Sequence, residues 1–147
     1  MVDLAEWQVD PLAVALGPDF DLDRVALGRA ARERGSWNVI HLPTVTKVDL
    51  FVLGAHPFDR SEFERRRRVE VRSGRSLFMK SAEDTVLRKL LWHRAGEGVS
   101  DRQWRDVVQV LRISRSVLDD GYLDSWAARL DLAAVLSRAR ADAATPR

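Results

Sequence analysis

The hydrophobic pattern of this 147-residue chain changes at Ser81, and this change constrains the fold more than any other feature. Before Ser81, apolar residues come in short runs between turn-forming residues, a pattern typical of strands and short helices. From Ser81 onward they recur every three or four residues, and Ser81 with Asp84 resembles a helix-start signature. The sequence therefore predicts an α+β protein in one compact unit, with a mixed sheet and helices in residues 1–80 and a helical bundle packed on it in residues 81–147.

Two apolar runs in the first part predict the centre of the sheet. They are Trp37–Leu42 and Lys47–Leu53, and four turn-prone residues join them. Two short strands with such a connection are typical of a β-hairpin. Val69–Arg72 and Ser76–Met79 predict a second strand pair, and Met1–Ala5 the end of another strand.

Helices are predicted on both sides of the central hairpin. Asp23–Arg34 has a helical composition, and Gly35 follows it where a left-handed residue commonly ends a helix. Pro57–Arg68 is also helical in composition. In the second part, Ser100 is predicted to cap a helix that starts with the next residue.

Composition excludes several classes of protein. The chain has no cysteine, so it has no disulfide framework and no thiolate metal site. The first residues lack the basic and apolar regions of a signal peptide, and no apolar run approaches the ~18 residues of a membrane span. We therefore expect a cytoplasmic protein without a membrane partner. Basic and acidic residues nearly balance at 24 and 22, but 21 of the basic residues are arginine, which suits phosphate and carboxylate partners.

Two acidic residues interrupt apolar strand sequences. Asp49 lies between Val48 and Leu50, and Asp3 has similar neighbours. A buried carboxylate needs a cation, a metal or several donors. Two such residues on neighbouring strands favour Mg²⁺, which takes oxygen ligands and keeps phosphate oxygens and water in its shell. The alternatives are an ion pair between Asp49 and an arginine, and a frayed terminal position for Asp3.

Six segments together resemble bacterial nucleotidyltransferase-like proteins, which are related to the minimal nucleotidyltransferases of abortive-infection toxins. The segments are Trp37–Pro43 (WNVIHLP), Lys47–Val52 (KVDLFV), Pro57–Arg60 (PFDR), Arg65–Val69 (RRRRV), Ser81–Thr85 (SAEDT) and Gln103–Val107 (QWRDV). The resemblance covers nearly the whole chain. It implies a nucleotidyltransferase fold, in which carboxylates hold Mg²⁺ ions that bridge nucleotide phosphates and activate an acceptor hydroxyl.

The resemblance assigns roles to four residues. Asp49 matches the third catalytic carboxylate, and Asp3 matches the second member of an Asp-x-Asp pair, so both are expected to be catalytic and to bind metal. Lys89 and Asp106 match a lysine and an Arg-Asp pair near the bound nucleotide. The implied partners are a nucleoside triphosphate and an RNA or protein acceptor.

The chain departs from the family pattern at its start. Met1 stands in the place of the first carboxylate, and the Gly-Ser turn that should precede it is missing. Because phosphoryl transfer depends on such groups, we expect transfer to be impaired. Lys89 and Asp106 also have simpler interpretations, since Lys89 is able to extend along the core to solvent and Asp106 to pair with Arg102 one helical turn earlier.

Two other functions stay open. A non-enzymatic interaction module would associate through an open sheet edge, for example as a homodimer. A ribonuclease would use Arg88 and His93, whose spacing resembles the motif of HEPN toxin domains. His41 and His56 are expected to be core or surface residues. Arg65–Arg68 would either complement the end of a helix or contact phosphates of RNA or a nucleotide.

Overall fold

A computed structural model describes residues 1–96 and 101–145. The predicted α+β class is confirmed. The described helices are α1 (Val9–Leu16), α2 (Arg24–Glu33), α3 (Pro57–Glu64), α4 (Ala82–Ala95), α5 (Asp101–Ile113), α6 (Asp120–Arg129) and α7 (Ala133–Ala144). The described strands are β1 (Phe20–Asp21), β2 (Ser36–His41), β3 (Thr46–Phe51), β4 (Arg67–Arg72) and β5 (Arg75–Met79). The predicted capping residue Ser100 lies outside the described residues.

The chain divides into two units, Met1–Glu64 and Arg65–Arg147. The division falls before the β4–β5 hairpin, whereas the sequence predicted it after this hairpin, at residue 80. The hairpin therefore belongs with the four helices that follow it.

The first unit contains an antiparallel sheet with the strand order β1-β2-β3. The predicted central hairpin is confirmed, and its register pairs Val39 with Val48 and Asn38 with Asp49. The predicted strand at residues 1–5 is reduced to one parallel bridge between Val2 and Val52. This bridge uses both backbone hydrogen-bonding groups of Val2, at 2.8 Å each.

One face of this sheet is partly buried, with Val48 still 41% exposed on it. Val39 and Val52 lie on it, and α2 contacts β2 and contributes the buried Leu27. The Asp23 side chain begins α2 by accepting a hydrogen bond from the Ala26 N–H at 2.9 Å. The helix ends at Arg34, whose φ of 53° is left-handed, so the prediction that Gly35 takes this conformation is wrong by one residue.

The second unit contains helices α4 to α7, in the segment where the sequence predicted a helical bundle. Helix α5 contacts α4 and α7, and α6 also contacts both of them. Their shared interior is made of fully buried aliphatic side chains: Val86, Leu87, Leu90, Val107, Leu123, Leu132 and Leu136. These residues recur at helical spacing, which is why the segment folds as amphipathic helices that pack together.

The same unit begins with the β4–β5 hairpin. The predicted strand pair is confirmed, and a two-residue turn at Ser73–Gly74 joins the strands, with Gly74 at a φ of 74°. The predicted helix through Arg68 is wrong in its last four residues, because α3 ends at Glu64. Val69 and Val71 alternate with polar residues in this segment, and period-two alternation favours a strand over a helix.

Within the described residues, no helix combines the length and the apolar character that crossing a bilayer requires.

Candidate functional site

The first candidate site is the outer face of the β1-β2-β3 sheet. Successive residues of a strand point to opposite faces, so the face opposite Val39 carries Asn38, Lys47, Asp49 and Phe51. The Asp49 side chain is 53% exposed. The prediction that Asp49 is buried is wrong, because only one face of this sheet is covered and Asp49 lies on the other.

Asp49 has a lysine partner. The Lys47 Nζ lies 3.1 Å from Asp49 Oδ1, and both side chains are more than half exposed. The expected alternative, an arginine partner, is therefore also wrong. An exposed ion pair of this kind contributes only about 0–1 kcal/mol to stability. Because the pair is weak, other cations are able to compete with Lys47 for the Asp49 carboxylate.

Asp3 is exposed and lies at a distance from Asp49. The bridge between Val2 and Val52 places Asp3 level with residue 53, so that it is displaced from Asp49 by about 13 Å along the strand. Mg²⁺ holds its oxygen ligands at about 2.1 Å. This register does not bring the two carboxylates to one shared ion, which corrects the predicted two-carboxylate site. In the part of the chain that the structure describes, no three His, Cys, Asp or Glu side chains gather as a metal site.

Lys89 and Asp106 meet each other between α4 and α5. The Lys89 Nζ lies 2.7 Å from Asp106 Oδ2 and also donates a hydrogen bond to Gln103 at 3.1 Å. The hydrogen bond from Lys89 is the main cause that lowers the pKa of Asp106. Asp106 therefore pairs with Lys89 and does not depend on Arg102 alone. Through this contact, Lys89 links α4 to α5. Its predicted role near a nucleotide stays a prediction.

A buried acidic cluster in the second unit was not predicted. Asp84 is fully buried, and its two carboxylate oxygens accept hydrogen bonds from the Ser81 hydroxyl at 2.7 Å and the Tyr122 hydroxyl at 2.6 Å. The Arg65 Nε lies 3.6 Å from Asp84 Oδ2. The Arg65 guanidinium also stacks on the Tyr122 ring at 3.7 Å. The cluster connects the start of α4 with α6 and with Arg65, two residues before the start of β4.

Glu83 belongs to this acidic cluster. Its carboxylate accepts a hydrogen bond from the Asp119 backbone N–H at 3.0 Å and lies 3.4 Å from an Arg65 nitrogen. Burial alone raises the pKa of Glu83, but the hydrogen bonds from Asp119, its own backbone and Ser81, together with Arg65, outweigh burial and lower it. Because partners already surround both carboxylates, we assign the cluster a structural role. The available sequence signal was a pair of acids directly after the helix cap Ser81.

The candidate ribonuclease residue His93 is buried. Its ring lies 5.1 Å from the ring of Trp104, whose indole also contacts the Arg138 guanidinium at 4.0 Å. A catalytic histidine must reach a substrate phosphate, and His93 faces α5 instead. This packing gives the ribonuclease alternative no support.

The other two histidines have local partners. His41 contacts the Phe20 ring at 4.8 Å and the Thr44 hydroxyl at 2.7 Å. The His56 Nδ1 accepts a hydrogen bond from the Phe58 N–H at 3.1 Å at the start of α3. Both residues have the structural character that the sequence predicted.

No protein-family model, curated protein or solved structure matches this chain.

Proposed function

We propose that this chain is a nucleotidyltransferase-like protein that binds a nucleoside triphosphate with Mg²⁺ on the outer face of its β1-β2-β3 sheet. The observation that supports the proposal is the accessible Asp49 carboxylate on this face. A nucleotide-bound Mg²⁺ takes several ligands from phosphates and water and needs only one or two protein carboxylates. A single accessible carboxylate therefore meets the requirement for binding.

Three neighbouring side chains of β3 supply complementary chemistry. Lys47, Asp49 and Phe51 alternate along the strand, all on the outer face and spaced about 6–7 Å apart. Lys47 offers a cation for phosphate oxygens, Asp49 would hold the metal, and the half-exposed Phe51 offers a surface for a base. In this row, Phe51 would lie at the base end of a nucleotide, and Asp49 and Lys47 would lie at the phosphate end.

Binding is the part of the activity that this face supports best. Metal-assisted transfer uses a clamp of carboxylates around closely spaced ions, and Asp3 is displaced from Asp49 by about 13 Å along the sheet. We therefore propose that transfer to an RNA or protein hydroxyl is impaired in this chain. Mg²⁺ would supply charge neutralisation of the phosphates when bound.

Isothermal titration calorimetry with each of the four ribonucleoside triphosphates tests the proposal. We expect Mg²⁺-dependent binding that chelation removes, and an affinity at least about tenfold lower in Asp49→Asn, which corresponds to about 1.4 kcal/mol. Asp19→Asn is the matched control, because it removes the same charge from an exposed position just before β1. No heat with any nucleotide, or equal affinities in the two variants, would refute the proposal.

The open edge of β3 favours a second candidate, an interaction module that associates with another copy. In the described sheet, residues 46–50 pair with β2 on one side only, and the Val2 N–H bonds to the Phe51 carbonyl next to the bridge at Val52. An edge with free backbone N–H and C=O groups is a template for pairing with another chain. A homodimer through this edge is the form of association that we propose for this candidate.

A further inference from the structure

The β4–β5 hairpin is exposed along both of its strands. Each residue of β4 is exposed, and so is each residue of β5 except Ser76. An isolated two-stranded hairpin is marginally stable in water unless its surface packs against something. This ribbon is therefore well placed to contact a partner.

The ribbon carries an excess of positive charge. Residues 67–79 contain four arginines and one glutamate, a net formal charge of +3. The glutamate is Glu70, and its carboxylate accepts a hydrogen bond from the Gly74 N–H at 3.1 Å in the turn. The arginines are Arg67, Arg68, Arg72 and Arg75, and none of them has an acidic partner among the residues that the structure describes. Their charge is thus available to an anionic partner.

An aromatic ring lies on one face of the ribbon, beside Arg68. The cross-strand pairs Arg67–Met79 and Arg72–Arg75 lie on the opposite face. The Phe78 side chain is 67% exposed, and its cross-strand neighbour on the same face is Arg68. The Arg66 guanidinium lies 5.4 Å from the centre of the Phe78 ring. An exposed aromatic ring with guanidinium groups beside it is the combination by which proteins stack a base and hold its phosphates.

We propose that the β4–β5 hairpin binds single-stranded nucleic acid, with Phe78 stacking on a base, the neighbouring Arg68 contacting a phosphate, and the net positive charge of the ribbon attracting the backbone. Charge complementarity favours this partner over a second copy of the chain, since a second hairpin would bring the same positive charge. The exposed ring favours it over a purely acidic protein, because an acidic side chain has no face for Phe78 to stack on. The inference depends on the hairpin alone and is independent of the proposed nucleotide site.

Fluorescence anisotropy with a labelled uridine 20-mer tests the proposal. We expect salt-sensitive binding, and a loss of affinity of about fivefold or more in Phe78→Ala. Arg68→Gln should make the slope of log K against log salt shallower by about 0.7. Arg29→Gln removes the same charge from an exposed position outside the hairpin and should retain the wild-type slope.

Additional measurements separate the proposal from its competitors. Phe78→Leu keeps an apolar side chain on the strand, so weaker binding in this variant as well identifies the aromatic ring as the contact, provided that its circular dichroism matches the wild type. Asp49→Asn should bind the oligonucleotide normally, which distinguishes this site from the nucleotide site. The proposal is overturned if the oligonucleotide fails to bind at low salt, if Phe78→Ala binds normally, or if poly-glutamate competes as well as unlabelled oligouridine. A hairpin-dependent dimer without oligonucleotide binding would overturn it too.

Discussion

Replacing Tyr122 with phenylalanine tests whether the buried acidic cluster stabilises the second unit. The Tyr122 hydroxyl donates a 2.6 Å hydrogen bond to Asp84, whose side chain is fully buried. The phenylalanine ring would keep its contacts with the Arg65 guanidinium and with Trp126. The substitution therefore removes the hydroxyl with little change in packing.

The expected loss of stability depends on the Asp84 oxygen that loses its hydrogen-bond donor. A hydrogen bond to a charged group contributes about 1.5–3 kcal/mol to stability. A buried acceptor that loses its donor also destabilises the fold, because its desolvation is no longer compensated. Ser81 and Arg65 still contact the other oxygen of Asp84. We therefore expect Tyr122→Phe to lower the free energy of unfolding by about 2 kcal/mol. For a chain of this length, that loss lowers the melting temperature by roughly 4–8 °C.

Urea denaturation of a double-mutant cycle measures the interaction directly. Tyr122→Phe, Asp84→Asn and the double variant should give a coupling energy of about 1–2 kcal/mol. Circular dichroism follows the loss of the helices. The explanation is wrong if the unfolding free energy of Tyr122→Phe lies within about 0.5 kcal/mol of the wild-type value. It is also wrong if the effects of the two substitutions on this free energy are additive.

Two further predictions concern Glu83 and the edge of β3. Because the folded pKa of Glu83 is lowered, its stabilisation is present above the ordinary glutamate pKa of about 4.3 and is lost as pH falls through the lower folded value. Urea denaturation at several pH values measures the difference in unfolding free energy between wild type and Glu83→Gln. This difference should be largest near neutral pH and shrink below about pH 4.3. A difference that stays the same across that range would contradict the explanation. If β3 pairs with a second copy, sedimentation velocity should show a dimer that grows with concentration, and a strictly monomeric chain at high concentration would eliminate the second candidate function.

Local signals in the sequence predicted much of the secondary structure. Ser81 begins α4 as expected, since its side-chain oxygen accepts the Asp84 N–H. The turn at Ser73–Gly74 likewise depends on neighbouring residues alone. The failures lie at helix ends: Arg34 takes the left-handed conformation one residue before Gly35, and α3 stops at Glu64, four residues before the predicted end.

The candidate site was predicted less well. The pattern around Asp49 identified a strand but not which face of that strand is covered, so its exposure was missed. Lys89 was placed on the correct helix, but its contact with Asp106 depends on how α4 lies against α5. Asp84 and Tyr122 are 38 positions apart, and no periodic pattern links residues at that separation.

Hydrophobic periodicity and capping act between residues a few positions apart, and they were enough to predict the α+β class, the central hairpin and the helical character of the second part. The outward position of Asp49, the burial of His93 and the burial of two acids beside Arg65 became known from the folded chain. Those outcomes depend on which surfaces pack against one another, and packing joins residues whose distance along the chain carries no signal.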